Sequence, residues 1–282
     1  MEIRPNSTTC LSVSIVLYHN PVDLLYSTIT SLYAAALKAV DAGHLGQILV
    51  VLIDNSQSRA YRASLHDTLS SLQKDDIFTL EYVDAEGNRG FGAGHNLALP
   101  NLKSDYHLVL NPDVELNEAT LSTGLSALQS DAALALVSPK VMGSTGEQEF
   151  LCKSYPSVLV LSLRAFAPEF IRAHFRQRLN HYEMRDVCTG SQAEDVLLAS
   201  GCFMLMRSEA FAAVGGFNEK YFLYFEDFDF SLRLRQRGRL LFLPAMQITH
   251  HGGYAASKGF KHIWLFVKSG ARFFNDHGWK WI

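Results

Sequence analysis

The stretch Ile48-Leu49-Val50-Val51-Leu52-Ile53-Asp54-Asn55-Ser56 decides the fold class of this chain. Its first six residues are apolar without alternation, a pattern typical of strands that helices cover on both faces of a parallel sheet. The polar residues Asp54, Asn55 and Ser56 end the run and mark the carboxyl end of the strand. The stretch therefore predicts an α/β protein built on a central sheet.

Predicted strands and helices alternate on either side of this run. Strands are predicted over 13–18, 78–83 and 106–110, and residues 24–40 and 59–73 show helical spacing. The second half is less regular, with strands predicted over 133–137, 196–199, 240–243 and 247–249 and helices over 166–182 and 260–274. Because alternating strands and helices form βαβ units, we expect a mixed, mainly parallel sheet flanked by helices in a single domain.

The composition narrows the class of protein further. The chain has 282 residues, 48% of them hydrophobic, and a formal net charge of −3 without a long basic stripe, which argues against a nucleic-acid partner. Its four cysteines are scattered without a CxxC pair, which favours a reducing compartment over a disulfide framework. Residues 1–7 lack a signal-peptide pattern, and no apolar run reaches the roughly 20 residues of a membrane span, so we expect a cytoplasmic protein.

Polar and glycine-rich segments follow the predicted strands at their carboxyl ends, where open α/β sheets bind ligands. The loop Gly90-Phe91-Gly92-Ala93-Gly94 lacks the spacing of a dinucleotide fingerprint. It either lets the backbone approach a diphosphate or forms a tight turn. Asn111-Pro112-Asp113 likewise places a carboxylate that either ligates Mg²⁺ or Mn²⁺ or completes an ordinary turn.

The segment Tyr221-Phe222-Leu223-Tyr224-Phe225-Glu226-Asp227-Phe228-Asp229 sets three carboxylates among aromatic rings. Carboxylates in such surroundings hold a metal, pair with a cation, or act as a general base whose pKa is raised by the apolar walls. The alternative is a helix start at which acidic residues favour the helix dipole. The aromatic residues either form the wall of a ligand site or pack in the core. His250-His251 either supply a metal ligand or end a strand.

Taken together, these motifs resemble the inverting glycosyltransferases of family 2, which have the GT-A fold. The resemblance covers residues 13–257. The run from Asn88 to Asn96, followed by Leu110-Asn111-Pro112-Asp113, is similar to the subgroup that contains rhamnosyltransferases. The metal motif of most of the family reads Asp-x-Asp, and this chain departs from it in having Asn111 at the first position.

The resemblance implies a role for each matching residue. Asp54 matches a nucleoside-binding aspartate, and Asp113 with His250 implies a site for divalent Mg²⁺ or Mn²⁺. Asp227 matches the catalytic base, with its neighbour Glu226 as the alternative. The other implied assignments are nucleotide binding by Asn88, Arg89, Gly90, Gly92, Asn111 and Asp113, and acceptor binding by Tyr224, Phe225 and Gly201.

The same resemblance implies dTDP-L-rhamnose as the donor and a saccharide or lipid-linked saccharide as the acceptor, in the synthesis of a bacterial surface polysaccharide such as O-antigen. A transferase that uses a UDP-sugar (galactofuranosyl or hexosyl) and a non-catalytic nucleotide-sugar-binding protein stay open as alternatives. A nucleotidyltransferase is disfavoured because the loop His19-Asn20-Pro21 is not glycine-rich and has no lysine. A dinucleotide oxidoreductase is disfavoured by the glycine spacing.

We expect residues 1–257 to form the transferase domain, with a nucleotide-binding half at about 10–115 and an acceptor-binding half at about 116–257. Residues 258–282 are expected to pack on this domain as a helical segment. Trp264, Phe266, Trp279 and Trp281 of that segment, together with the basic stretch 164–185, are alternatively a membrane anchor or a subunit contact. Peripheral contact with the inner face of a membrane, and an oligomer, therefore stay open.

Overall fold

The computed structural model describes residues 8–70, 72, 76–252 and 260–282. The strands are β1 (Cys10–Leu17), β2 (Gln47–Asp54), β3 (Phe78–Asp84), β4 (Tyr106–Leu110), β5 (Val114–Leu116), β6 (Leu134–Gly143), β7 (Gln148–Glu149), β8 (Glu194–Asp195), β9 (Phe203–Arg207) and β10 (Arg239–His250). The helices are α1 (Val22–Asp41), α2 (Arg59–Leu69), α3 (Phe91–His95), α4 (Thr120–Ser130), α5 (Val158–Phe166), α6 (Glu169–His174), α7 (Arg176–Tyr182), α8 (Arg185–Cys188), α9 (Ser208–Ala213), α10 (Glu226–Leu234) and α11 (Phe260–His277). A 3₁₀ helix, Asn96–Asn101, directly follows α3.

The described strands form one mixed sheet in the order β3-β2-β1-β4-β9-β6-β10-β5, with β7 and β8 attached to β6 and β10. The first four strands in this order are parallel, and β6 is parallel to β10. β9 runs antiparallel between β4 and β6, and β5 runs antiparallel to β10 at the edge. This confirms the mixed, mainly parallel sheet that the sequence predicts.

Helices cover both faces of the sheet, which explains the unbroken apolar runs. In β4, Leu108 and Leu110 belong to one core with residues of α1 and α4, whereas Val109 between them belongs to a second core on the other face. Successive side chains of a strand point to opposite faces, so both faces here need apolar residues. The second core is rich in aromatic residues, among them Phe211 and Phe230, whose rings meet edge to face with centroids 5.6 Å apart.

The structure agrees with the predicted elements of the first half and corrects several in the second half. The strand predicted over 196–199 is wrong: Leu198 forms only an isolated bridge with Lys153, and the strand that enters the sheet is β9. Residues 240–243 and 247–249 belong to the single strand β10, which has a register shift between Leu243 and Gln247. The helix predicted over 166–182 is divided, because Pro168 caps α6. Gln73, the predicted end of α2, lies outside the described residues.

The C-terminal helix α11 is packed on one side and exposed on the other. Phe273 and Phe274 are buried with Phe225 in a third apolar cluster, as the expected packing requires. The expectation fails for the tryptophans, since Trp264 is 60% and Trp281 63% exposed.

Within the described residues, no helix is both long and apolar enough to cross a membrane. Residues 1–7 and 253–257 lie outside those residues, and the division into domains at 257 stays a prediction.

Candidate active site

A cavity of about 850 Å³ opens at the carboxyl ends of β1, β2 and β4. Of the predicted site residues, Asn88, Gly90, Asn111, Asp113 and His250 line it. The lining also includes Tyr18, His19, Asn20, Asn55, Phe91, Phe222, Leu223, His262 and Leu265. The strand-end location that the sequence predicts therefore holds for the cavity, although not for every predicted residue.

Asp113 and His250 are brought together by the pairing of β5 with β10. In that antiparallel pair Val114 lies opposite His250, and the backbone N–H of His251 donates to the carbonyl of Asp113 over 2.8 Å. The hydroxyl of Thr28 in α1 fixes the turn by donating to the carbonyl of Pro112 over 2.9 Å. As a result, Oδ1 of Asp113 lies 3.6 Å from Nε2 of His250, and this buried oxygen has no hydrogen-bond partner.

A carboxylate on the other ring nitrogen orients His250. Nδ1 of His250 lies 2.9 Å from Oε2 of Glu149, so a proton on Nδ1 leaves the lone pair of Nε2 facing Asp113. Burial opposes the charged imidazolium, but the hydrogen bond to Glu149 and the charges of Asp113 and Glu149 raise the pKa of His250 above its ordinary value.

The donor set fits a divalent cation. One carboxylate oxygen without a partner and one oriented imidazole nitrogen are the ligand types that Mn²⁺ accepts. No group of three or more His, Cys, Asp or Glu side chains suited to a metal occurs in the described part of the chain. Asp113 and His250 therefore supply at most part of a coordination shell, and the rest would come from a ligand and water.

Asp54, the predicted nucleoside-binding residue, is fully buried and does not line the cavity. Its carboxylate accepts hydrogen bonds from the backbone N–H of Ser56 (2.7 Å) and from the hydroxyl of Tyr82. Burial and that second bond raise the pKa of Tyr82 to about 12, so the phenol stays protonated. The next residue, Asn55, lines the cavity instead, and its Nδ2 donates to the carbonyl of Gly90 over 2.9 Å.

The glycine-rich loop is shaped by close packing. Gly90 has φ +87°, and a Cβ there would lie 2.2 Å from the carbonyl oxygen of Phe222. A Cβ on Gly92 would lie 2.7 Å from Cβ of Phe217, and Gly92 does not line the cavity. The turn interpretation therefore accounts for Gly92. Arg89 also lies outside the lining, with its Nε donating to the carbonyl of Ala85 over 2.9 Å.

Asp227 and Glu226 form the first turn of α10, next to the cavity wall rather than in it. Oδ2 of Asp227 accepts from the backbone N–H of Gly201 (3.1 Å), and the N–H of Asn111 donates to the carbonyl of Cys202 (2.9 Å). Gly201 and Cys202, which are consecutive, thus connect Asp227 with the turn that carries Asp113. A Cβ on Gly201 would lie 2.9 Å from the ring of Phe91, a cavity residue, so Gly201 requires glycine for this close approach.

The surroundings of Glu226 and Asp227 raise the pKa values of these two neighbouring carboxyl groups to different extents. Burial and the charge of Asp227 raise the pKa of Glu226 well above its ordinary value, and Oε2 of Glu226 has no hydrogen-bond partner. Burial also raises the pKa of Asp227, to about 6, although the backbone N–H groups of Gly201 and Phe228 and the charge of Lys153 lower it. Of the two carboxyls, Glu226 is therefore the one that its surroundings favour in the protonated form.

The predicted acceptor residues lie outside the cavity lining. Phe225 is only 4% exposed and packs on Phe266 and Phe273, so the core-packing interpretation is right for this ring. The hydroxyl of Tyr224 lies 3.0 Å from Nδ1 of His262. Both Tyr224 (φ +70°) and Phe225 (φ +65°) adopt left-handed backbone conformations. Such strain is costly for residues with a Cβ and occurs often at functional sites.

Sequence reasoning missed several residues of the site. Asn55 follows Asp54 in the same strand-end motif, and it is Asn55 rather than Asp54 that lines the cavity. No sequence pattern marks Glu149 or His262 as site residues, because their positions near the cavity depend on how β7 and α11 pack against the rest of the fold. The third carboxylate of the acidic segment, Asp229, is excluded from the site by its ion pair with Arg233 (Oδ2 to Nη2, 2.8 Å).

Comparison with known proteins gives a family match over most of the chain. The family model described as "Glycosyl transferase family 2" matches residues 12–215. "Rhamnosyltransferase WbbL" of Escherichia coli K12 is 29% identical in an alignment of 229 residues, and the match covers 75% of this chain and 81% of that protein.

Two further relatives are longer than this chain. "Low-salt glycan biosynthesis hexosyltransferase Agl10" of Haloferax volcanii is 25% identical over 232 residues, and "N-acetylglucosaminyl-diphospho-decaprenol L-rhamnosyltransferase" of Mycobacterium tuberculosis is 26% identical over 215 residues. The matches cover 80% and 68% of this chain. The chain spans less than two thirds of each relative, 62% and 66%.

Solved structures share the fold at low sequence identity. GalNAc-T7, crystallised with UDP, GalNAc and Mn²⁺, superposes with a TM-score of 0.62 at 15% identity, over 95% of this chain and 48% of that one. Staphylococcus aureus TarS 1-349 in complex with UDP-GlcNAc gives a TM-score of 0.56 at 16% identity, over 95% and 67%. These likenesses show the GT-A fold of the chain.

Proposed function

Because the chain belongs to glycosyl transferase family 2, we propose that it transfers L-rhamnose from dTDP-rhamnose to a saccharide or lipid-linked saccharide acceptor, with inversion at the anomeric carbon. One observation carries the proposal: Gly201 and Cys202 connect an ionised carboxylate, Asp227, with the turn of Asn111 and Asp113 at the cavity edge. A base beside an edge that could hold a diphosphate through a divalent cation is what a single displacement on a glycosyl diphosphate requires.

In the proposed reaction, the carboxylate of Asp227 takes the proton of the acceptor hydroxyl as that oxygen attacks the anomeric carbon. The bond from this carbon to the diphosphate oxygen breaks, and its electron pair leaves with the diphosphate. The N–H of Gly201 holds Oδ2 of Asp227 in place throughout. The raised pKa of Glu226 favours its neutral form, which adds no second negative charge beside Asp227.

Asp113 and His250 are the residues that would hold a divalent cation on the donor diphosphate. A bound Mg²⁺ or Mn²⁺ supplies positive charge that stabilises the departing diphosphate. Glu149 keeps Nε2 of His250 directed toward Asp113, and the Thr28 hydroxyl keeps the turn closed. Asn111, which stands where most of the family has an aspartate, lines the same edge without adding charge.

The choice of rhamnose is supported by relatives that are named rhamnosyltransferases at 26% and 29% identity. A relative named a hexosyltransferase, at 25% identity, supports another hexose as the second candidate for the transferred sugar, and a UDP-sugar is the alternative donor. We place the reaction in the cytoplasm, in the synthesis of a bacterial surface polysaccharide such as O-antigen. The base and ribose of the donor are expected near Asn55 and Asn88 on the cavity wall, whereas Asp54 lies buried behind it.

A thermal-shift panel tests the proposal. We expect dTDP and dTDP-rhamnose to raise the melting temperature only with Mn²⁺ or Mg²⁺, since a ligand at a hundredfold excess over its Kd adds about 2.7 kcal/mol of stability. Asp113→Asn should remove the metal dependence. His251→Gln is the matched control, because Nε2 of His251 pairs with Glu115 at 3.1 Å and His251 is outside the cavity lining.

Each outcome of the panel has a meaning. A larger shift with UDP than with dTDP would assign a UDP-sugar donor. If nucleotide binds but mass spectrometry detects no glycosylated acceptor, the protein would be a non-catalytic nucleotide-sugar-binding protein. The absence of a shift with all nucleotides tested would refute the donor site.

A further inference from the structure

A cluster of exposed aromatic and aliphatic side chains lies on α5, on α11 and on the segment that follows α11. We call it the aromatic face and define it as Phe166, Trp264, Val267, Trp279 and Trp281, which are between 46% and 64% exposed. All three tryptophans of the chain belong to it. A groove of about 180 Å³, lined by Phe166, Val267 and Trp279 among others, joins α5 to α11 at its centre. Exposed apolar clusters of this kind mark interaction surfaces.

The aromatic face is held in a fixed shape. The backbone N–H groups of Val158 and Leu159, at the start of α5, donate to the carbonyls of Lys280 (2.8 Å) and Trp281 (3.1 Å). The rings of Trp279 and Trp281 stack with centroids 5.0 Å apart. Because these side chains are already ordered in the free protein, binding through them costs little conformational entropy.

The two segments that carry the aromatic face have a net positive charge, whereas the rest of the chain has a net negative charge. Residues 158–188 and 260–282, which carry the face, contain nine Lys and Arg against four Asp and Glu. The remaining chain contains 16 Lys and Arg against 24 Asp and Glu, since the totals are 25 and 28. The ammonium of Lys268 lies over the ring of Trp264, 4.9 Å from its centroid. A positive aromatic surface is complementary to anionic lipid, whereas two copies of it would repel each other.

The same helix reaches the proposed active site. His262 and Leu265, on another side of α11 from Val267, line the 850 Å³ cavity. Nδ1 of His262 lies 3.0 Å from the hydroxyl of Tyr224, which precedes the acidic start of α10 by two residues. The aromatic face and the cavity are therefore two sides of one structural element.

We propose that the aromatic face docks this protein on an anionic lipid bilayer, so that an acceptor anchored in the bilayer meets the cavity beside α11. The use of a lipid-linked acceptor rests on the proposed function, whereas the docking itself does not. Amphipathic aromatic and basic surfaces bind in the plane of a bilayer interface. The tryptophan rings then lie at the headgroup level and the basic residues contact the lipid phosphates.

Tryptophan fluorescence tests the docking directly, because every tryptophan is on the face. The full chain is mixed with vesicles of phosphatidylcholine containing one third phosphatidylglycerol, and with vesicles of phosphatidylcholine alone. We expect a blue shift and quenching by brominated acyl chains with the anionic vesicles, both weakened by high salt. Lys268→Gln with Lys280→Gln should lower the partition coefficient about 25-fold, since each basic residue near the surface contributes about fivefold.

Flotation with variants gives the second readout. Trp264→Ser with Trp281→Ser should lose flotation with anionic vesicles, while Tyr26→Ser, at an exposed aromatic residue of α1, should keep it. The thermal shift with nucleotide should be unchanged in all three proteins, which shows that they are folded. Absence of quenching in the unmodified chain would overturn the proposal, as would a dimer in sedimentation that the tryptophan variant abolishes. Quenching without any glycosyl transfer would leave the docking valid and refute the proposed function instead.

Discussion

The pair Glu226 and Asp227 gives the sharpest prediction, because one member is expected to be neutral and the other ionised. Asp227→Asn removes the proposed base, and the loss of general-base catalysis typically lowers kcat by about 10²–10⁴-fold. Glu226→Gln replaces a protonated carboxyl by a neutral side chain of nearly the same shape. We therefore expect that variant to keep its activity within a few-fold of the unmodified protein.

The pH dependence follows from the same pair. Burial raises the pKa of Asp227 to about 6, so about nine-tenths of the groups are ionised at pH 7 and about one-tenth at pH 5. Activity should therefore fall about tenfold between pH 7 and pH 5. An aspartate with an ordinary pKa near 3.9 would stay mostly ionised at pH 5 and give a nearly flat profile.

The assay is the initial rate of nucleoside diphosphate release with acceptor present, measured from pH 5 to pH 8 for the three proteins. Retained activity in Asp227→Asn together with its loss in Glu226→Gln would make Glu226 the base. A flat profile down to pH 5 would refute the raised pKa of Asp227. Circular dichroism of each protein at pH 5 controls for unfolding.

Three further predictions concern packing and stability. Gly90→Ala should cost on the order of 3 kcal/mol in urea unfolding, because its Cβ meets the carbonyl of Phe222 at 2.2 Å, whereas Gly146→Ala, at φ +90° with no atom within 4 Å of its Cβ, should cost about 1 kcal/mol. Phe225→Ala should cost about 3–5 kcal/mol in the same assay, since its ring is buried. Phe222→Ala, on the cavity wall, should change stability by less than about 1 kcal/mol and raise KM. Equal losses of stability in the two variants would contradict the assignment of Phe225 to the core. Burial lowers the pKa of His107 to about 3, below the value near 6.5 that it has in the unfolded state. The unfolded state therefore binds the proton first, and the free energy of unfolding should fall by up to about 1.4 kcal/mol per pH unit below pH 6.5. His107→Asn should reduce that slope in urea unfolding at pH 6.5, 5.5 and 4.5, and an unchanged slope would refute the burial argument.

Local patterns in the sequence were sufficient for the first half of the fold. The apolar run of β2 and the alternation of strands with helices predicted the parallel sheet, since burial of both faces removes polar residues from a strand. Strand ends were readable for the same reason: polar residues and glycine begin where the covering helices stop. The cavity edge at Asn111 and Asp113 was predicted on that basis.

Patterns of this kind could not predict which of two adjacent or nearby side chains faces the cavity and which is buried. Asp54 and Asn55 are adjacent in the same motif, yet only Asn55 faces the cavity, because Asp54 is held below the surface by Tyr82 of β3. Phe225 and Phe222 belong to one aromatic run, and the left-handed backbone at Phe225 sends its ring to the core formed with α11. Neither choice leaves a periodic trace in the sequence.

Sequence patterns alone were enough to establish the α/β class, the parallel half of the sheet, the family, and which polar segments lie at the ligand-binding edge. The folded structure was needed to show that β9 inserts between β4 and β6, that β5 sets Asp113 beside His250, and that the tryptophans of the C-terminal segment face outward. The difference lies in the range of the interactions. Hydrophobic periodicity reports whether a residue is covered by its immediate neighbours, whereas strand pairing and helix docking depend on contacts between segments that lie far apart in the chain.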